Sequence, residues 1–237
     1  MKKTALVLAA SLAAFATPAA AQEVSEITAD PEFVAKLRSA LEQHPELVTI
    51  AATRHQAMMR EQEMAAMVAK ADEVRSELSA SKSVALVLGN PQGADTYIEF
   101  LDYRCGFCRR AHEDVNALMA QDSNARVVVM MLPVLGPDSE TLARFALAAA
   151  QLGKFREAND YMYENAVEAD DAGLEAVANA IGADWTAIRS AMSSEEVSGK
   201  LAIHRAYADR LQLQGTPFFI TPTKVHPGYV PLEQLMG

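Results

Sequence analysis

The chain has 237 residues, half of them hydrophobic, which is enough to bury a core without cross-links. Its 31 acidic residues outnumber the 21 basic ones and give a formal net charge of −10, which argues against a nucleic-acid-binding protein. The length corresponds to one or two domains.

Residues 1–21 have the pattern of a cleavable secretory signal peptide. Two lysines precede an apolar run at residues 5–16, and small side chains follow as far as Ala21. The apolar run is shorter than the roughly 20 residues that span a bilayer, which argues against a membrane anchor. We therefore expect an exported protein that begins at Gln22, has no membrane association after cleavage and resides in a bacterial periplasm, where disulfides persist.

Residues 22–80 are predicted to form an N-terminal helical segment that drives self-association. Asp30 is suited to cap a helix that begins at Pro31, and Pro45 is expected to end or kink it. A second helix is expected from Leu47 to Leu78, since apolar residues recur there at seven-residue spacing. These residues are Ile50, Ala57, Met64, Ala71 and Leu78. Such a helix needs a partner, either its own domain or further copies of the chain, and we expect a homo-oligomer, as a trimer rather than a dimer.

Four methionines on the second helix permit another interpretation. Met58, Met59, Met64 and Met67 are soft ligands of the kind that bind Cu(I), although methionines on a helical face are usually packing residues. A copper-binding or holdase module is therefore the alternative from a different functional class.

From residue 81 onward the pattern becomes that of an α/β domain. A turn-rich boundary at residues 79–95 precedes two predicted buried strands, "TYIEFLDY" and "ARVVVMMLPV", with a helix between them. A helical block follows at about residues 139–213. The strand "GTPFFIT", an edge strand "KVHPGYV" and a last helix "PLEQLMG" complete this order of elements.

Cys105 and Cys108 are the only cysteines of the chain, and they lie at the predicted junction between a strand and a helix. A structural disulfide would close so short a loop that it stabilises little. A closed zinc site would need four ligands, and no second cysteine pair or suitable histidine spacing is present. Redox chemistry is therefore favoured over both of these readings.

The position at a helix start assigns different roles to the two thiols. Unpaired backbone N–H groups and the helix dipole favour a thiolate there, and Arg104, Arg109 and Arg110 add positive charge. We expect Cys105 to be the attacking nucleophile and Cys108, one turn deeper, to be the resolving thiol. His112 lies one turn further on, where proton shuttling is one interpretation, and we expect it to be a solvated helix residue instead.

The stretch from Glu99 to Arg110, followed by "GTPFF", resembles the DsbA-like branch of the thioredoxin superfamily. The resemblance covers about residues 81–237 and implies a thioredoxin fold with an inserted helical domain at about residues 138–195. The N-terminal helical extension resembles that of the ScsC-type subgroup, whose members are oligomeric disulfide isomerases.

The resemblance also implies roles for individual residues. It implies that Cys105 and Cys108 are the redox pair and that Glu99 is the buried acid that assists proton transfer. It further implies that Pro217 is a cis-proline whose loop lies against the cysteines, and that Pro217, Thr216 and Phe107 contact the substrate. From the residues alone, Glu99 remains open to a purely structural role and Pro217 to a trans bond. No cofactor or metal is implied.

These inferences together predict a periplasmic disulfide isomerase or reductase that acts on exported proteins. A membrane thiol/disulfide protein is the expected redox partner. The alternative within the same class is a monomeric DsbA-type oxidase that donates its own disulfide.

Overall fold

The computed structural model describes residues 30–81 and 86–237, and the predicted signal peptide lies outside these ranges. The described residues divide into two compact units, one before and one after the boundary between Ala57 and Met58. Within the described ranges, no helix is both long enough and apolar enough to cross a lipid bilayer.

The first unit contains helix α1 (Pro31–Gln43) and the beginning of helix α2 (Glu46–Ala80). The Asp30 side chain accepts a hydrogen bond from the Glu32 N–H at 3.1 Å, and Pro31 occupies the first turn, so the predicted helix start is confirmed. No residue of α1 is buried. Large apolar side chains are exposed throughout this unit, namely Phe33, Val34, Leu37, Leu47, Val48 and Ile50.

The second unit holds the remainder of α2 and all other described elements. Its strands are β1 (Leu86–Gly89), β2 (Asp95–Leu101), β3 (Ala125–Met131), β4 (Phe218–Ile220) and β5 (Val225–Pro227). Its other helices are α3 (Gly106–Gln121), α4 (Pro137–Gln151), α5 (Phe155–Glu164), α6 (Asp171–Ala180), α7 (Trp185–Met192), α8 (Glu195–Arg210) and α9 (Leu232–Leu235). The predicted α/β order is confirmed, with helices α4 to α8 between β3 and β4.

The strands of the described residues form one mixed sheet in the order β1-β3-β2-β4-β5. Strands β2 and β3 are parallel, and the other neighbouring pairs are antiparallel. Strand β1 was not predicted, because its four residues lie in the turn-rich stretch that the sequence marked as a boundary. The central position of β2 fixes the backbone that leads into the cysteines.

Each face of the sheet is covered by a separate apolar core. On one face, Tyr97 and Leu101 of β2 pack with α3 and the helical block. On the other face, Ile98 and Phe100 pack with α2. The α2 residues in this second core, Ala71, Val74 and Leu78, are fully buried. The end of α2 is thus part of the core of the second unit.

An arginine fastens this part of α2 to the sheet. The Arg75 guanidinium donates hydrogen bonds to the backbone carbonyls of Thr221 at 2.7 Å and Pro222 at 2.6 Å, just after β4. Ala71 and Leu78, the last two residues of the seven-residue repeat, are buried in the second core. At the C-terminal end of α2 the repeat therefore serves packing within the chain. Earlier members of the repeat are exposed: Ile50, in the first turns of α2, is 44% exposed, and Met64, in the middle of the helix, is 43% exposed.

Candidate active site

Cys105 occupies the N-cap position of α3, directly after the turn that follows β2. Its side chain is 9% exposed, and its Sγ atom donates a hydrogen bond to the Thr216 carbonyl at 3.3 Å. No side chain caps this helix, so its first backbone N–H groups face the cysteine. The predicted placement of Cys105 at a helix start is confirmed, and its nucleophilic role remains a prediction.

Cys108 lies one turn into α3 and is completely buried. Burial raises the pKa of its thiol, and the charge of Glu99 raises it further. The backbone of Asp102 and the side chain of Thr216 act in the opposite direction by hydrogen bonding. A Cys108 thiolate would therefore need nearby groups that accept its proton and stabilise its charge.

Glu99 lies in the middle of β2, with Val129 of β3 and Phe219 of β4 as its neighbours across the sheet. Strand alternation directs it to the same face as Tyr97 and Leu101, which is the face that α3 covers. It is 3% exposed, and burial raises the pKa of its carboxyl group from 4.5 to about 8. This carboxyl group therefore titrates closer to neutral pH than an exposed glutamate does.

The loop before β4 brings the Thr216 carbonyl to the Cys105 sulfur, and Pro217 follows it directly. The Thr216–Pro217 peptide bond is cis. A groove of about 260 Å³ begins at this loop. Its lining residues are Met67, Gln212, Leu213, Gln214, Gly215, Thr216, Pro217, Phe218, Pro227 and Gly228. The groove is a suitable place for an apolar segment of polypeptide beside Cys105.

Phe107, between the two cysteines, is 57% exposed. Its ring stacks on that of Tyr229 with 6.5 Å between centroids. The Arg110 guanidinium lies 5.7 Å from the Phe107 ring and 5.4 Å from the Tyr229 ring. An aromatic and cationic surface therefore lies next to the two cysteines, opposite in character to the acidic chain as a whole.

One buried carboxylate of the site was missed from the sequence. Asp102 is 2% exposed and accepts hydrogen bonds from the N–H groups of Arg104 at 2.8 Å, Val134 at 2.9 Å and Leu135 at 3.1 Å. It joins the turn before Cys105 to the loop after β3. The signal available was its position directly after a predicted buried strand, where a carboxylate must find hydrogen-bond partners.

The expectation that His112 is solvated is wrong. The ring is 6% exposed, lies 3.1 Å from the Asn116 Nδ2 atom and 3.4 Å from the Asp160 Oδ1 atom. Burial is the largest cause of its lowered pKa. The histidine is buried because α5 covers this side of α3, and its sequence neighbours do not indicate that contact.

The curated relatives match this chain over only a part of their own length. The chain is 26% identical over 185 residues to the Na⁺/H⁺ antiporter NhaA 3 of Salinispora tropica, covering 73% of this chain and 28% of the antiporter. For the Na⁺/H⁺ antiporter NhaA 1 of Salinispora arenicola the identity is 27%, covering 63% of this chain and 23% of the antiporter. The chain thus spans about a quarter of the length of these relatives.

Solved structures share the fold over most of their length. A thioredoxin-like oxidoreductase from Silicibacter pomeroyi is 36% identical with a TM-score of 0.64, covering 68% of this chain and 93% of that one. A linker-deletion mutant of ScsC from Proteus mirabilis is 17% identical with a TM-score of 0.70, and the match covers 90% of this chain and 95% of that one. BcfH from Salmonella enterica Typhimurium is 21% identical with a TM-score of 0.68, and the match covers 87% of this chain and 93% of that one.

The similarity to ScsC and BcfH extends the shared fold to the helical N-terminal region, since these matches cover more of the chain than the catalytic domain alone. The predicted thioredoxin fold, with a helical N-terminal region and helical insertions, is confirmed. The DSBA-like thioredoxin domain matches residues 96–237, which include both cysteines and the cis-proline. The chain therefore belongs to the DSBA-like thioredoxin domain family.

Proposed function

We propose that the protein is a thiol:disulfide oxidoreductase in which Cys105 attacks and Cys108 resolves. The observation that carries this proposal is the asymmetry of the pair. The Cys105 sulfur sits at the start of α3, 3.3 Å from the Thr216 carbonyl, whereas Cys108 is fully buried behind it. Cys105 keeps 9% exposure and Cys108 none, which supports assigning the attack on a client disulfide to Cys105.

The reaction balances without a cofactor. The Cys105 thiolate attacks one sulfur of a client disulfide, forms a mixed disulfide and releases the other client sulfur as a thiolate. Cys108 then gives its proton to the Glu99 carboxylate, and its sulfur attacks Cys105. The client leaves reduced, and the enzyme keeps the two-electron oxidation as a Cys105–Cys108 disulfide.

Isomerisation uses the same first step but returns the enzyme unchanged. A second thiol of the client attacks the mixed disulfide before Cys108 does, so a new client disulfide forms and the Cys105 thiolate is released. Disulfide isomerase or reductase activity on exported proteins is therefore the proposed function. A membrane thiol/disulfide protein would return the pair to its working redox state, and the periplasm is the proposed location.

Thr216, Pro217 and Phe107 are proposed to contact the client. The loop containing Thr216 and Pro217 forms the wall of the groove beside Cys105, and Phe107 exposes its ring on the side of Tyr229. These surfaces suit a non-native polypeptide, because its apolar side chains are still accessible near the disulfide.

Self-association through residues 22–80, as a trimer, is the further part of the proposal. The first unit exposes apolar side chains on α1 and on the start of α2, including Phe33 at 56% and Val48 at 58%. Two helices of this kind bury too little apolar surface to be stable without a partner. Several linked active sites would raise the concentration of catalytic thiols around one client.

Light scattering combined with refolding of scrambled ribonuclease tests this proposal. The comparison is between residues 22–237 and a truncation to residues 58–237, which retains Ala71, Val74 and Leu78 in the second core. We expect the longer protein to be trimeric and to reshuffle disulfides. The truncation should be monomeric and should reduce a simple disulfide while losing most isomerase activity. A monomeric longer protein, or full isomerase activity in the truncation, would favour the monomeric oxidase instead.

A further inference from the structure

Val134 and Leu135, in the loop between β3 and α4, form an exposed apolar pair. Val134 is 50% exposed and Leu135 is 57% exposed, and neither is a member of the two apolar cores. Within residues 86–237 the other large exposed apolar residues occur singly along the chain, at Phe107, Leu152, Ile203 and Met236. Single residues of this kind are common on protein surfaces, whereas an adjacent pair calls for an explanation.

Hydrogen bonds fix this loop beside the turn that leads into Cys105. The N–H groups of Val134 and Leu135 donate to the Asp102 Oδ2 atom at 2.9 Å and 3.1 Å. The backbone carbonyl of the same Asp102 accepts a hydrogen bond from the Cys105 N–H at 3.0 Å. One residue thus joins the apolar pair to the start of the helix that carries the cysteines.

The carboxylate of Asp102 is the stronger of two links between the loop and the turn. It is 2% exposed, and hydrogen bonds to a carboxylate away from water are among the strong ones. The second link is the ion pair between Arg104 and Asp138 at 3.1 Å, which stabilises little because the Asp138 side chain is 66% exposed. The loop backbone is therefore held in place while its two apolar side chains remain available for contact with another molecule.

The sheet places the apolar pair and the groove on opposite sides of Cys105. Strand β2 lies between β3 and β4. Since β3 is parallel to β2 and β4 is antiparallel to it, the end of β3 and the start of β4 both lie at the end of β2 that leads into Cys105. The loop after β3 carries the apolar pair, and the loop before β4 carries Thr216 and Pro217 of the groove.

We propose that Val134 and Leu135 form a second client-binding surface, so that the enzyme prefers client cysteines with apolar residues on both sides in the sequence. This inference rests on the proposed function and names its substrate class. Strands β3 and β4 are separated by two strand spacings, about 10 Å, which an extended polypeptide covers with about three residues. Side chains just before and just after the client cysteine thus reach the two surfaces at once.

The test compares four symmetric peptide disulfides, each formed from two copies of a peptide with one cysteine. The cysteine carries leucines on both sides, on its N-terminal side only, on its C-terminal side only, or serines on both sides. Reduced protein of residues 22–237 is mixed with an excess of each disulfide, and release of the peptide thiol is followed over one turnover. The half-saturating peptide concentration reports binding, and the maximum rate reports the chemical steps.

The double variant Val134→Ser/Leu135→Ser removes both apolar side chains. Because they are exposed, its thermal midpoint should remain close to that of wild type. Leu152→Ser is the matched control, since Leu152 is 41% exposed and follows the 15-residue helix α4 at its other end. That end is about 22 Å from the loop along the helix axis.

In wild type the peptide with leucines on both sides should have a half-saturating concentration about fivefold lower than either one-sided peptide, since part of a leucine side chain leaves water at each surface. The double variant should bind the two-sided peptide no better than one of the one-sided peptides, with an unchanged maximum rate. Leu152→Ser should behave as wild type.

Three results would overturn the inference while the proposed function stands. The first is equal half-saturating concentrations in wild type and the double variant for every peptide. The second is an equal rise for all four peptides. The third is a changed light-scattering mass of the double variant, which would assign the apolar pair to a contact between copies of the chain. A wild-type protein that releases no peptide thiol from any of the four disulfides would defeat both the inference and the proposed function.

Discussion

Replacement of Glu99 by glutamine should stabilise the protein by an amount that grows with pH. The carboxyl group has a pKa of about 8 in the folded protein and 4.5 as its ordinary value. Its contribution to folding is therefore fully present below pH 4.5 and is lost as pH rises toward 8. Each pKa unit corresponds to about 1.4 kcal/mol, so wild type gives up about 3 kcal/mol between its unfolded pKa and about pH 7.

Glutamine has nearly the same shape and carries no charge, so Glu99→Gln escapes this loss. The free energy of unfolding is measured by denaturant titration of reduced wild type and reduced Glu99→Gln. The variant should be more stable than wild type at about pH 7, and its advantage there should exceed that at about pH 4.5 by about 3 kcal/mol. The control is Glu113→Gln, which changes an exposed carboxylate of α3. Its free energy of unfolding should stay close to that of wild type.

The same variant should slow catalysis, because an amide cannot take the proton of Cys108. Turnover in an insulin-reduction assay should fall and lose its dependence on a group that titrates near pH 8. A stability difference that is constant with pH would refute the argument from burial. Unchanged turnover from about pH 5 to about pH 8 would return Glu99 to a purely structural role.

Three further predictions concern surfaces. Met67→Glu should raise the KM for insulin several-fold and leave reduction of a small aromatic disulfide unchanged, because Met67 lines the groove. The control is Met64→Glu, since Met64 is 43% exposed on the same helix, and it should change neither the KM for insulin nor reduction of the small disulfide. Phe107→Ala should also raise the KM for polypeptides, while its free energy of unfolding changes by less than about 0.5 kcal/mol, since the ring is 57% exposed. Leu37→Lys should shift the light-scattering mass toward the monomer; an unchanged mass would remove α1 from the interface.

Local patterns in the sequence were sufficient for the elements that depend on local physics. Asp30 and Pro31 define the start of α1, and continuous apolar runs mark β2 and β3. Strand β1 has only four residues, too few for alternation to distinguish it from the surrounding turns. It is a strand because the β3 backbone pairs with it.

The limits of the sequence are clearest where a residue's partner lies far along the chain. The spacing of Ala71, Val74 and Leu78 shows an apolar helical face, but not that this face packs on the chain's own sheet. The same holds for the active site. Cys105 and Cys108 are neighbours in sequence and were found by spacing, whereas the burial of His112 arises because Tyr163 of α5, 51 residues further along the chain, packs against it.

The most direct test of the central claim is the identity of the sulfur that binds the client. Reduced Cys108→Ala is incubated with a disulfide-bonded peptide, quenched with acid and analysed by non-reducing mass spectrometry, in parallel with Cys105→Ala. We expect a stable peptide adduct on Cys105 in the first variant and none in the second. Equal adducts in both variants, or an adduct in neither, would contradict it.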